Sequence, residues 1–149
     1  MNHLDHLVQA LADRIHISVD TWNANAELSI SVDGGVTITL EADPTGRWIF
    51  LYSILGPQPS EPDAVRVLLR ANHLGRGTLG ATLSIDPADD TVTLWRRLEI
   101  EREDAESFIG AFGDFLDAAV AWAARLPTLQ DVLRDDDQSS GTHPFPILA

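Results

Sequence analysis

Ala71-Asn72-His73-Leu74-Gly75-Arg76-Gly77-Thr78-Leu79-Gly80-Ala81-Thr82-Leu83-Ser84-Ile85-Asp86 is the stretch on which the reading of this chain turns. Its centre, Gly75 to Gly80, matches the dinucleotide fingerprint G-x-G-x-x-G letter for letter. That fingerprint needs a strand before it and a helix after it. Here the order is reversed. Ala64, Val65, Val67, Leu68, Leu69 and Ala71 give residues 61–73 a helical pattern, and Ala81, Leu83 and Ile85 then alternate with Thr82 and Ser84 as a strand. With the helix dipole pointing away, the glycines read as a structural turn from helix to strand rather than a phosphate cradle.

Downstream, Asp86-Pro87-Ala88-Asp89-Asp90 turns the chain, and Val92, Leu94, Arg96 and Leu98 alternate with Thr93, Trp95, Arg97 and Glu99, which completes a hairpin. Residues 101–126 then carry the strongest helical signal, with Ala105, Phe108, Phe112, Phe115, Ala119 and Ala123 on one face. Acids open that helix, Arg125 closes it, and Pro127 is expected to stop it. Residues 128–149 then read as an acidic, disordered tail, centred on Asp135-Asp136-Asp137-Gln138-Ser139-Ser140-Gly141. Its apolar end, from His143 to Ala149, suits either solvent or docking on a groove as an internal plug.

Upstream, Leu4, Leu7, Val8, Leu11, Ala12 and Ile15 recur at three- and four-residue steps, an amphipathic first helix. Ala26, Leu28, Ile30 and Val32 pair with Val36, Ile38 and Leu40 across the turn Asp33-Gly34-Gly35 as a β-hairpin. The run Trp48-Ile49-Phe50-Leu51-Tyr52-Ser53-Ile54-Leu55 is apolar on both faces, and its plain reading is a strand covered on both sides. Three prolines make residues 56–62 a loop. The order α-β-β-β-α-β-β-α predicts an α+β fold, a mostly antiparallel twisted sheet packed with helices, in one domain over residues 1–127.

Composition narrows the function classes. The chain of 149 residues is one domain in length, 44% hydrophobic and 22% charged, so it can bury a core. Ten basic residues, all Arg, face 23 acidic ones for a net charge of −13. That balance repels nucleic-acid phosphates and anionic lipid surfaces. The absence of cysteine excludes disulfides, thiolate metal sites and a Cys nucleophile, and fits a reducing cytosol. No signal peptide opens the chain, and no apolar run approaches the roughly 18 residues of a membrane span. The expected class is a soluble intracellular protein, and the Arg-for-Lys bias points to a GC-rich genome.

No motif carries catalytic chemistry. His3 and His6, with Asp5 between them, lack a third or fourth metal ligand nearby, and His16, His73 and His143 have no evident partner. There is no Gly-x-Ser-x-Gly, and Asp89 and Asp90 lie in a polar turn where nothing raises a carboxyl pKa. No enzyme activity, cofactor or metal is expected.

What remains is surface for binding. Trp95 and Arg97 share one face of the last strand, which is either packed within the domain or exposed at an interface. The second helix is apolar on more than one side, which suits a two-fold contact with another copy as well as simple core burial. Trp48, Phe50 and Tyr52 oppose Ile49, Leu51 and Leu55, and read equally as a buried central strand or as one wall of a groove.

The stretch from Ala71 to Asp86 closely resembles the helix-to-strand signature of the class I type III secretion chaperones, the Tir chaperone family. Leu94-Trp95-Arg96-Arg97-Leu98 resembles that family's last strand, and residues 108–126 with Trp122 its closing helix. The resemblance implies a homodimeric cytoplasmic bacterial chaperone that holds the N-terminal region of a secreted effector extended and export-competent, without ATPase activity, cofactor, nucleic acid or membrane insertion. It places the dimer contact at Val65, Leu68, Leu69, Trp95 and Arg97, and effector contacts at Leu7, Leu11, Trp22, Trp48, Phe50 and Tyr52. Two other readings stay open: a regulatory protein of the same fold that binds another chaperone or a transcriptional regulator, and a small-molecule enzyme using the Gly75 to Gly80 turn.

Overall fold

A computed structural model of the chain describes residues 1–32 and 35–139. Helix α1 spans His3–Ile15. Asn2 caps it by accepting from the Asp5 N–H at 2.8 Å, while the Asp5 carboxylate accepts from the Asn2 N–H at 3.0 Å. This reciprocal capping box satisfies two otherwise orphaned amides. The buried stripe is Leu4, Leu7, Val8, Leu11 and Ala12, as the spacing predicts. His16 ends the helix in a left-handed conformation at φ 59.

A short helix α2, Asp20–Asn25, follows; the sequence gives no periodic signal for it. Its one buried residue is Trp22, whose indole N–H donates to Asp5 at 3.0 Å and so ties α2 back to the start of α1.

Strands β1 (Glu27–Val32), β2 (Val36–Ala42) and β3 (Trp48–Pro57) form an antiparallel meander. Of the β1–β2 turn, Asp33 and Gly34 lie outside the described residues, while Gly35 adopts φ 87, a conformation glycine takes without strain. Helix α3 (Pro62–Ala71) leads through the glycine turn to β4 (Thr82–Ile85) and β5 (Thr91–Glu99). β5 inserts between β3 and β4, giving the five-strand order β1-β2-β3-β5-β4 with β1 and β4 at the edges.

Helix α4 spans Ala105–Ser139. It begins a turn later than the acidic run suggests, because Asp104 caps it by accepting from the Ser107 N–H at 2.8 Å. Pro127, expected to end it, instead lies inside it. Leu126 and Leu129 are both buried, so the apolar stripe carries on past the proline. Thr128 Oγ1 donates to the Arg125 carbonyl at 2.7 Å. Tertiary burial thus outweighs the helix penalty of about 3 kcal/mol that an internal proline carries. Residues 128–139 are therefore helical, and the apolar end from His143 to Ala149 lies outside the described residues.

The molecule has two layers. Inward residues of the strands, Ile38, Leu40, Ile49, Leu51, Val92 and Leu94, meet α1 and α4 in a single core centred on Phe108 and Phe115. Within Ala105–Leu129 an 18-residue stretch reaches a mean hydropathy of 1.2, so by length and composition alone this helix could cross a membrane, which the reading of apolar runs did not register. Its buried face, including Phe108, Phe112, Phe115 and Trp122, forms the heart of the core.

Candidate binding surface

Among the described residues no helix covers the outer face of the sheet, which overturns the expectation that β3 is covered on both sides. Ile49, Leu51 and Ser53 of β3 are buried, whereas Trp48, Phe50 and Tyr52 are half-buried and Ile54 is exposed. Trp95 lies beside them on the same face. Tyr52 pairs in register with Trp95 on one side and Thr39 on the other, and Phe50 pairs with Arg97 and Glu41. The rings of Phe50 and Trp95 are 6.4 Å apart and tilted by 46°.

Arginines keep this apolar row stable in water. The Arg97 guanidinium lies 4.2 Å from the centroid of the Trp48 ring and that of Arg47 lies 4.9 Å from it. Each such contact contributes about 0.5–1 kcal/mol at an exposed site. Arg47 and Arg102 also pair with Glu99, at 3.3 and 2.8 Å. Towards β1 the face turns acidic, with Glu27 directly opposite Glu41. Burial, followed by the charges of Glu41 and Glu27, raises the Tyr52 phenol above its ordinary pKa of 10.0. A shallow depression of about 260 Å³ opens between Tyr52, Ile54, Thr37 and Thr39. A second, of about 130 Å³, is lined by Leu55, Pro57, Pro59, Leu126 and Pro127 among others. Neither gathers the converging ionisable groups that general acid–base chemistry requires.

The Gly75 to Gly80 turn spends its amides internally. Gly75 N–H donates to Asn72 O, Gly77 N–H to Ala71 O, and Gly80 N–H to Gly75 O, at 2.9, 3.0 and 3.0 Å. Such a turn has little left to offer a phosphate. A Cβ on Gly77 would sit 2.8 Å from the Ala71 carbonyl oxygen, so close packing alone requires glycine there. The turn presents Leu74 and Leu79, both at positive φ, to solvent at 74% and 51% exposure. Leu69 of α3 is 65% exposed, so the second helix and the turn together display three uncovered leucines. Leu74 and Leu79 were not singled out by sequence reasoning; their neighbours' glycines were the available signal.

The sequence-nominated residues divide. Leu7, Leu11 and Trp22 are core side chains, at most 4% exposed. Trp48, Phe50 and Tyr52 lie together on the outer face, and the structure joins them to Trp95 and Arg97, which sequence reasoning had grouped with the second helix. Of the α3 residues, Leu68 is buried, Val65 is partly covered and Leu69 is exposed. His3 Nε2 lies 2.8 Å from the Glu103 carbonyl oxygen. Among the described residues no three His, Asp or Glu side chains converge as a metal site.

No curated protein sequence matches the chain. Solved structures do. The fold is similar to one in the ExsC-ExsE complex, with TM-score 0.66 and 21% identity over 83% of this chain and 92% of that one. It is similar to one in the ExoU-SpcU heterodimer from the type III secretion system of Pseudomonas aeruginosa, with TM-score 0.64 and 20% identity over 81% and 94% of the two chains. It is also similar to one in the complex of the Yersinia pestis type III secretion chaperone SycH with a fragment of YscM2, with TM-score 0.61 and 16% identity over 78% and 96%. At these identities the likeness establishes a shared fold. The family assignment comes from the sequence itself: the model of the Tir chaperone protein family matches residues 6–123, and the chain belongs to the Tir chaperone protein (CesT) family.

Proposed function

We propose that this protein is a type III secretion chaperone of the bacterial cytoplasm, which binds the N-terminal segment of a secreted effector and keeps it soluble, extended and export-competent. The observation that carries this reading is the half-exposed row Trp48, Phe50 and Tyr52, continued by Trp95, on a sheet face that no helix among the described residues covers. An extended guest gains backbone hydrogen bonds at the edge of β1, and a further stretch of the same guest lays apolar side chains on the aromatic row, which β1 and β2 separate from that edge. No catalytic group takes part. The complex of the type III secretion chaperone SycH with a fragment of YscM2, which contains a chain of similar fold, supplies support by analogy.

The protein acts as a homodimer in this reading. Leu69, Leu74 and Leu79, with Val65 beside them, are more apolar surface than a lone copy needs, and a self-complementary contact is the simplest way to cover it. A pair doubles the chain's charge of −13, which favours solubility and disfavours anionic partners. Co-expression with effectors of a type III system, followed by purification and light scattering, tests both parts. The expected result is an effector fragment co-purifying with twice the 16.3 kDa of one chain. A monomer at high concentration that retains no effector contradicts it.

A further inference from the structure

The two edges of the sheet differ in their backbone. In β1, Ala42 N–H donates to Ala26 O and Gly35 N–H to Val32 O, so even-numbered residues turn their peptide groups toward β2. Glu27, Ser29 and Ser31 turn theirs outward, and among the described residues no backbone or side-chain group bonds to them. In β4 the parity places Ala81, Leu83 and Ile85 outward, since Asp86 N–H donates across to Thr91 O.

There the edge is occupied. The Asn72 side chain accepts from the Leu83 N–H at 2.7 Å and donates to the Leu83 carbonyl at 2.9 Å, reproducing the pair of bonds a neighbouring strand would make. One step back, Ala81 N–H donates to Thr78 O at 3.1 Å, and Thr78 Oγ1 donates to Ala81 O at 2.5 Å. Thr78 is wholly buried, so this plug is part of the packed turn. Among the described residues of this edge, Ile85 alone keeps outward peptide groups without such bonds.

We infer that Asn72 and Thr78 close the β4 edge to strand addition and so assign an extended, alternating-apolar guest segment to the β1 edge, along Glu27 to Val32. The inference rests on the strand-addition reading above and adds which edge is used and what excludes the other. The signature turn thus has a binding role: it is an edge guard, which native sheets need because an open row of peptide groups pairs with any strand it meets.

The absence of cysteine makes the test direct. Ser31→Cys reports on β1 and Ser84→Cys on β4, and the probe is a lysine-capped synthetic peptide of alternating Val and Thr with an activated N-terminal cysteine. The expected rate of cross-linking is at least roughly tenfold higher at residue 31 than at residue 84, and Asn72→Ala is expected to raise the rate at residue 84 by about tenfold. Equal rates at the two edges with Asn72 intact, or no gain at residue 84 in a folded Asn72→Ala chain, overturn the guard while leaving strand addition standing. A rate at residue 31 no higher than that of a scrambled, proline-containing peptide overturns strand addition itself. Should Asn72→Ala fail to fold, amide exchange in the unaltered chain decides: Leu83 N–H is expected to be protected at least roughly 100-fold more than Ser31 N–H, and equal exchange overturns the guard.

Discussion

The indole N–H of Trp122 donates to the carbonyl of Gly77 at 2.9 Å, fixing the signature turn to the closing helix across 45 residues of sequence. Trp122 is buried and Arg125 stacks 4.8 Å from its ring centroid, so the bond is held in one geometry. Trp122→Phe keeps an aromatic ring but strands the Gly77 carbonyl. It is expected to cost about 2 kcal/mol, read from the urea midpoint.

Gly77 and Gly110 give opposite outcomes for the same substitution. A methyl at Gly77 meets backbone of Ala71 at 2.8 and 2.9 Å, and Gly77→Ala is expected to destabilise by about 2–3 kcal/mol. A methyl at Gly110, inside α4, meets nothing within 4 Å, so Gly110→Ala is expected to stabilise by about 0.5–1 kcal/mol. Thermal melts of the two variants against the native chain check both signs.

Ser53 lies on the inward face of β3, 1% exposed, and its hydroxyl is without a hydrogen-bond partner among the described residues. Removing that hydroxyl removes an unsatisfied polar atom from the core. Ser53→Ala is expected to leave stability unchanged or raise it by about 1 kcal/mol, whereas a loss above that would mean the hydroxyl has a partner in solution.

Acid should loosen the first helix. Asp5 has a pKa below its ordinary 3.8, chiefly because the Asn2 backbone N–H, and then the Trp22 indole, bond its charged form. A carboxyl with a depressed folded-state pKa contributes stability that is complete above its unfolded value and lost as pH falls through the folded one. The native chain is therefore expected to lose melting temperature more steeply than Asp5→Asn below about pH 4. Parallel curves would remove Asp5 as the cause.

Periodicity was enough to place α1, the β1–β2 and β4–β5 hairpins and α3, because each buries one face at a single regular spacing. It missed α2, whose six residues offer only Trp22 to the core, too few for a period. It stopped α4 at Pro127 because a local rule cannot register the burial of Leu126 and Leu129 against distant strands. The outer face was half legible. Apolar residues on both sides of β3 signal either a second covering layer or a bare binding face, and the difference lies in Arg97 and Arg47 stacking on Trp48, a contact across strands that no single segment encodes. Leu7, Leu11 and Trp22 were nominated from a resemblance that does not say which side of an element faces solvent, and all three are core side chains.

The most direct measurement compares effector retention by the native chain and by Phe50→Asp, after co-expression in cells whose secretion apparatus is active. Phe50 is half-buried on the uncovered face, so the charge is expected to leave the core and the urea midpoint nearly intact while reducing the retained effector by at least about tenfold. A folded Phe50→Asp chain that retains as much effector as the native protein would contradict the account.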